Sequence, residues 1–93
     1  MNFVLIVHEV QDYPAWKAIF DEAAGIRKSA GEIEYHLLRD ERDPNRVVHF
    51  SRWTSLTNAR GFFESPDLEA LRSRAGVKAP TFSYLLTLEQ AQL

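Results

Sequence analysis

The chain has no cysteine. That excludes a disulfide framework, a thiolate metal site and a thiol nucleophile. It also has no basic excess: 11 Lys and Arg stand against 13 Asp and Glu, for a formal net charge of −2. Without surplus positive charge little drives counterion release from a phosphate backbone, so neither DNA nor RNA is an expected partner. The longest apolar run, Phe3 to Val7, is far short of the ~20 residues a membrane span requires, so no membrane partner is expected. Residues 1–10 lack the basic start of a signal peptide, which with the missing cysteines points to a cytoplasmic protein. The four glycines, Gly25, Gly31, Gly61 and Gly76, form neither G-x-G-x-x-G nor a phosphate loop. No flavin or nicotinamide cofactor is therefore indicated. No serine sits in a strained nucleophile turn with the partners of a triad.

What is present is a chain of 93 residues, 45% of them apolar, which excludes wholesale disorder and sets one domain over residues 1–93. Phe3 to Val10 alternates as a strand with two largely apolar faces, as in a central strand covered on both sides. Asp12 is a candidate N-cap with Pro14 in the first turn, and Trp16, Phe20, Ala23, Ile26 or Arg27, and Ala30 mark the inner stripe of a helix over 13–30. Gly31 suits the position after the last turn.

Glu32 to Trp53 reads as a hairpin around Arg42-Asp43-Pro44-Asn45. Pro44 presets a turn dihedral, and Asp43 and Asn45 can bond their own backbone. Pairing Glu41 with Arg46 places Leu38 opposite His49 and His36 opposite Ser51. Ile33, Tyr35, Leu37, Val48 and Phe50 then share one face, and His36, Leu38, Val47, His49, Ser51 and Trp53 the other. Ser55 opens a second helix, Ser65-Pro66 a third that runs from Asp67 to Ala75, and Thr81 to Leu88 alternates as the last strand.

The order β-α-β-β-α-β predicts an α+β, ferredoxin-like fold with a four-stranded antiparallel sheet. The helices cover one sheet face. The other still carries apolar side chains, either Val4, Ile6, Leu38, Val47 and Trp53 or the reciprocal set. A patch of that kind exceeds what a monomer usually exposes, so a homodimer through the open sheet face is expected.

The segments VHEVQDYPAWKAIFDEA, RDERDPNRVVHFSRW and AGVKAP, with Phe62-Phe63 and Ser65-Pro66 between them, resemble the dimeric α/β-barrel superfamily. Within it the chain is similar to small antibiotic biosynthesis monooxygenase-like or cyclase-like proteins, and the likeness spans nearly the whole sequence. Members resemble cofactor-independent aromatic polyketide monooxygenases, haem-degrading monooxygenases and muconolactone isomerases. Haem-degrading members use an Asn on the first strand and a Trp and His near the second helix. Here Asn2 lies at the strand edge and Asn58 stands without Trp or His beside it, which argues against haem degradation. The polyketide enzymes surround an aromatic substrate with Asn, Trp, Tyr and Arg. Trp53, Arg52 and Tyr84 supply those types.

His49 and His36 are candidate bases, since a neutral imidazole can take a proton from a phenol or an enolisable ketone. Arg52 is the candidate anion stabiliser, while Trp53, Tyr84, Trp16 and Tyr35 are candidate walls for a small apolar or aromatic ligand. His8, His36 and His49 form no metal motif, and no metal is expected. Two functions follow. One is an enzyme without a cofactor that abstracts a proton from a polyketide-like molecule, leading to oxygenation, cyclisation or isomerisation. The other is a non-catalytic homodimeric module that binds a small ligand. An open pocket near His36 or His49 favours the enzyme.

Overall fold

The structure is a computed structural model that describes residues 1–93. Its elements run β1 (Asn2–Val10), α1 (Tyr13–Glu22), α2 (Ala24–Ala30), β2 (Glu32–Arg39), β3 (Arg46–Trp53), α3 (Leu56–Phe63), α4 (Pro66–Arg74) and β4 (Val77–Leu86). Three helices start on short polar side chains. Asp12, Ser55 and Ser65 accept the backbone N–H of Ala15, Asn58 and Leu68, each closing one otherwise free helical donor. The expected helix over 13–30 is divided at Ala23, where the backbone turns to φ −84° and ψ 0°.

All strand pairs are antiparallel, in the order β2-β3-β1-β4. This is the expected α+β, ferredoxin-like arrangement. β4 tolerates Pro80 because it is an edge strand and because the ladder skips between Val7 and Glu9, near the positive φ of Ala79.

The hairpin register lies one residue from the expected one. Leu37, not Leu38, faces His49, and Tyr35, not His36, faces Ser51. The loop is longer than a four-residue turn. Asp40 Oδ1 accepts the Arg42 N–H and Asp43 Oδ1 the Asn45 N–H, and Asp40 N–H donates to the Arg46 carbonyl to close it. A one-residue slip exchanges the faces of a whole strand. His36 and Leu38 therefore lie on the open side of the sheet, opposite the helices, while His49 lies beneath them. The alternative sets resolve accordingly. Val4, Ile6, Val47 and Trp53 are buried under the helices, and Phe3, Leu5, Val7, Val48 and Phe50 occupy the open face.

The helix side holds two apolar clusters. Val4, Ile6, Trp53, Ala59 and Phe63 form one, and Val10, Trp16, Phe20, Val47 and Ala75 form the other. His8 and His49 are buried on the same sheet face, as neighbours of Ile6 across β1 and β3.

Candidate functional site

The site begins with an irregularity in β2. The ladder with β3 pairs Glu34 with Arg52 and Glu32 with Trp53, so Ile33 is skipped. A bulge of this kind leaves one residue unpaired and re-aims its neighbour. Strict alternation with Tyr35 would turn Ile33 toward the helices. Instead Ile33 is 48% exposed and the Glu32 side chain is only 6% exposed.

Glu32 is held from two sides. Its Oε1 accepts from Arg27 Nε at 2.8 Å, and its Oε2 lies 2.8 Å from His49 Nε2. Arg27 is itself buried, with its guanidinium 3.7 Å above the centre of the Phe20 ring and a further bond from Nη1 to the Phe20 carbonyl at the α1–α2 joint. Burial alone would raise the Glu32 pKa. The hydrogen bonds from His49 and Arg27 and the charge of the Arg27 guanidinium outweigh it and hold the carboxyl below its ordinary range. An ionised Glu32 accepts the Nε2 proton of His49, so Nδ1 is the nitrogen left to accept a proton.

Arg27 and His49 of this network also line a cavity of about 60 Å³ between sheet and helices. His8 and His49 form its floor, and Trp16, Phe20 and Phe63 its walls. Leu68, Leu71 and Arg72, at i, i+3 and i+4 of α4, close it from above. His8 is 5% exposed, and its Nδ1 is buried without a hydrogen-bond partner. Burial, then the nearby His49 and Arg72, push its pKa down to about 3, so the ring is neutral.

The structure brings together two of the seven sequence candidates, His49 and Trp16, at the cavity. Tyr35 packs edge-on against His49 at 5.7 Å from its half-exposed place on β2, outside the cavity lining. Tyr84 lies under Arg60, its ring centre 4.0 Å from the guanidinium carbon, with Glu64 near its hydroxyl. Trp53 is a core residue, 1% exposed, whose Nε1 donates to Ser51 Oγ. His36 and Arg52 do not join His49, since both lie on the open sheet face. Arg52 is paired there with Glu34 at 3.0 Å. Three further residues, Arg27, Glu32 and His8, complete the site. For Glu32 no periodic signal exists, because the bulge alone turns it inward.

The matching family model is that of the antibiotic biosynthesis monooxygenases, and it covers residues 11–74. The chain belongs to this family. No curated protein matches it significantly. Among solved structures, SnoaB, a cofactor-independent oxygenase from Streptomyces nogalater, superposes with a TM-score of 0.74 at 15% identity, covering 96% of this chain and 93% of that one. A proposed antibiotic biosynthesis monooxygenase from Caulobacter crescentus CB15 gives 0.73 at 18% identity, covering 95% and 90%. MhuD carrying a single substitution, with two manganese protoporphyrin IX molecules bound per active site, gives 0.70 at 15% identity and covers 99% of both chains. At these identities the likeness to solved structures establishes the fold, and the match over residues 11–74 establishes the family. No helix is long and apolar enough to cross a membrane.

Proposed function

We propose that the protein is a cofactor-independent monooxygenase- or cyclase-like enzyme that acts on a small aromatic, polyketide-like molecule by proton abstraction. The observation that carries this reading is His49 at the cavity floor, backed by Glu32. A base needs a nitrogen free to accept and a partner that stabilises the cation formed, and Glu32 offers that partner at 2.8 Å. Arg27 holds the carboxylate in place from the other side. Trp16 and Phe20 line the cavity and offer an apolar aromatic side to a ligand.

Proton removal from a methylene flanked by aromatic rings leaves a carbanion that can reduce dioxygen with its own electrons. One oxygen atom stays on carbon as a carbonyl, and the other leaves as water with both former methylene hydrogens. His49 takes the first proton and returns it. The same deprotonated species serves cyclisation or isomerisation. The similarity to SnoaB, a cofactor-independent oxygenase, supports the oxygenation branch.

The working unit of this proposal is a homodimer, in a cytoplasmic setting that suits a chain without cysteine. Phe3 and Phe50 stack at 4.9 Å on the open sheet face beside Leu5, Val7 and Val48, and no element of the chain covers them. Two copies sheet to sheet bury this patch reciprocally.

The test is oxygen uptake and absorbance change with a panel of phenolic and quinone ligands from a single ring upward, for the native protein and His49→Ala. Turnover that falls by about 100-fold or more in His49→Ala supports the reading, given the usual worth of a general base. Thermal stabilisation by these ligands with no turnover in either protein would favour the alternative, a ligand-binding module.

A further inference from the structure

The cavity beside His49 is too small for an aromatic ring. Its volume of about 60 Å³ gives room for about two waters, whereas benzene occupies an apolar cavity of ~150 Å³. A planar substrate therefore needs α4 to give way. That helix has no buried residue, and only its Leu68, Leu71 and Arg72 line the cavity. A molecule of two heavy atoms needs no such movement.

The lining suits an apolar guest. Nine of its thirteen residues are hydrophobic, Phe20, Phe63, Leu68 and Leu71 among them. The hollow exists because Ala23 and Ala75 place single methyl groups where longer side chains would fill it. Water is poorly provided for. His49 Nε2 and Arg27 Nε are engaged with Glu32, and Arg27 Nη1 with the Phe20 carbonyl. Arg72 bonds the Phe63 carbonyl and lies half in solvent, where the Glu69 charge acts on it. What remains is Nδ1 of His49 and Nδ1 of His8, the latter buried and unpartnered. That falls short of the ~3 hydrogen bonds a buried water usually makes.

We propose that this cavity is a dioxygen site, holding the gas beside His49 where the carbanion forms. An apolar gas gains by leaving water for such a space. His49 removes the first methylene proton, and the carbanion passes its electron pair to dioxygen as the carbon–oxygen bond forms. The proton on His49 completes a hydroperoxide. The oxygen–oxygen bond then breaks as water leaves with the second methylene hydrogen, and a carbonyl remains. Carbon is oxidised, dioxygen is reduced, and no other reductant enters. His8 is neutral, since burial holds its pKa near 3, so it adds no charge that would draw water in. With its proton on Nδ1 it offers a hydrogen bond to the oxygen as charge develops there.

This assignment rests on the oxygenation reading above, and the test separates the two. Dissolved dioxygen is paramagnetic and speeds the relaxation of protons it touches, so methyl NMR of the native protein under dioxygen, with nitrogen as the blank, reads its position without any substrate. The methyl groups of Ala23, Leu68, Leu71 and Ala75 should relax several-fold faster than those of Val4, Ile6 and Ala59, which are fully buried outside this cavity. Ala75→Leu, or Ala23→Val if the longer side chain prevents folding, should remove the excess and raise the KM for dioxygen several-fold in the oxygen-uptake assay. Equal relaxation in the two sets overturns the gas site, as does an unchanged KM for dioxygen in a folded, filled variant. Turnover by the native protein in either case leaves oxygenation standing. Excess relaxation without oxygen uptake on any phenolic or quinone ligand overturns the oxygenation reading, and with it the role of the gas as a substrate.

Discussion

Glu32 Oε2 lies 2.8 Å from His49 Nε2, although the two residues are not ladder partners: His49 pairs with Leu37, and Glu32 with Trp53. The carboxylate reaches the imidazole along the inner face of the hairpin, past Tyr35, from the first position of β2. Arg27, the other partner of this carboxylate, comes from the helix just before it in sequence. Helix, strand start and neighbouring strand are thus joined through one buried acid.

Removing that acid leaves Arg27 buried without its counter-charge. Glu32→Ala is expected to lose about 3–5 kcal/mol of stability, the usual cost of breaking a buried ion pair from one side. Glu32→Gln keeps a hydrogen-bond acceptor and should lose less. Urea unfolding of the three proteins checks this, with equal stabilities counting against the network.

The same network and His8 give stability a definite pH dependence. His8 is held near 3 in the folded chain against an ordinary 6.5. Below pH 6.5 the unfolded chain binds a proton that the folded chain refuses. The stability due to neutral His8 is full above 6.5 and is lost as pH falls toward 3. The slope approaches about 1.4 kcal/mol per pH unit. Glu32, whose pKa is lowered, acts in the same direction at lower pH: its contribution is present above the ordinary carboxylate range and is lost as its folded form protonates. In denaturant titrations between pH 7 and 4, His8→Phe should show a flatter dependence than the native chain, and parallel curves would refute the assignment.

Gly31 ends α2 with φ 126°, and a Cβ placed there would stand 2.5 Å from Thr54 Oγ1. Gly31→Ala therefore meets backbone strain and a clash at once, and it should cost more than about 1 kcal/mol. The close approach is held by the bond from Thr54 N–H to the Gly31 carbonyl. Thr54→Ser keeps the hydroxyl oxygen in place, so the double variant should be no better than Gly31→Ala alone. A thermal melt decides it.

On the open face, Phe50→Glu places a charge in the centre of the patch stacked against Phe3. Light scattering should change from twice the chain mass to a single 10.7 kDa chain, with the helical and strand signals of circular dichroism retained. A native protein that already runs at 10.7 kDa removes the pairing.

Features that depend on a few adjacent residues are legible in the sequence. Asp12, Ser55 and Ser65 cap helices because a short acceptor side chain reaches an N–H three residues on, wherever the rest of the chain lies. Gly31 follows the same local logic. The helical stripe is legible down to its ambiguity between Ile26 and Arg27. Only packing settles it, leaving Ile26 51% exposed and burying Arg27 to 4%. A guanidinium displaces an isoleucine from the inside because Glu32 and the Phe20 carbonyl await it there. The expected grouping of His36 with His49 fails for a comparable reason. Their relative face depends on how many residues the loop takes up, and Asp40 extends the loop by bonding its own backbone.

By itself the sequence determined the capped helix starts at Asp12, Ser55 and Ser65 and the α+β class, since each follows from propensities and bonds that span three or four residues, whereas the break at Ala23 and the span of β4, Val77–Leu86 against the expected Thr81–Leu88, emerged only in the structure. The tertiary structure alone decided which side of the sheet each hairpin residue takes, and with it the membership of the cavity. A strand's side chains alternate strictly, so one skipped residue at Ile33 and one added to the loop are enough to turn Glu32 inward and His36 out.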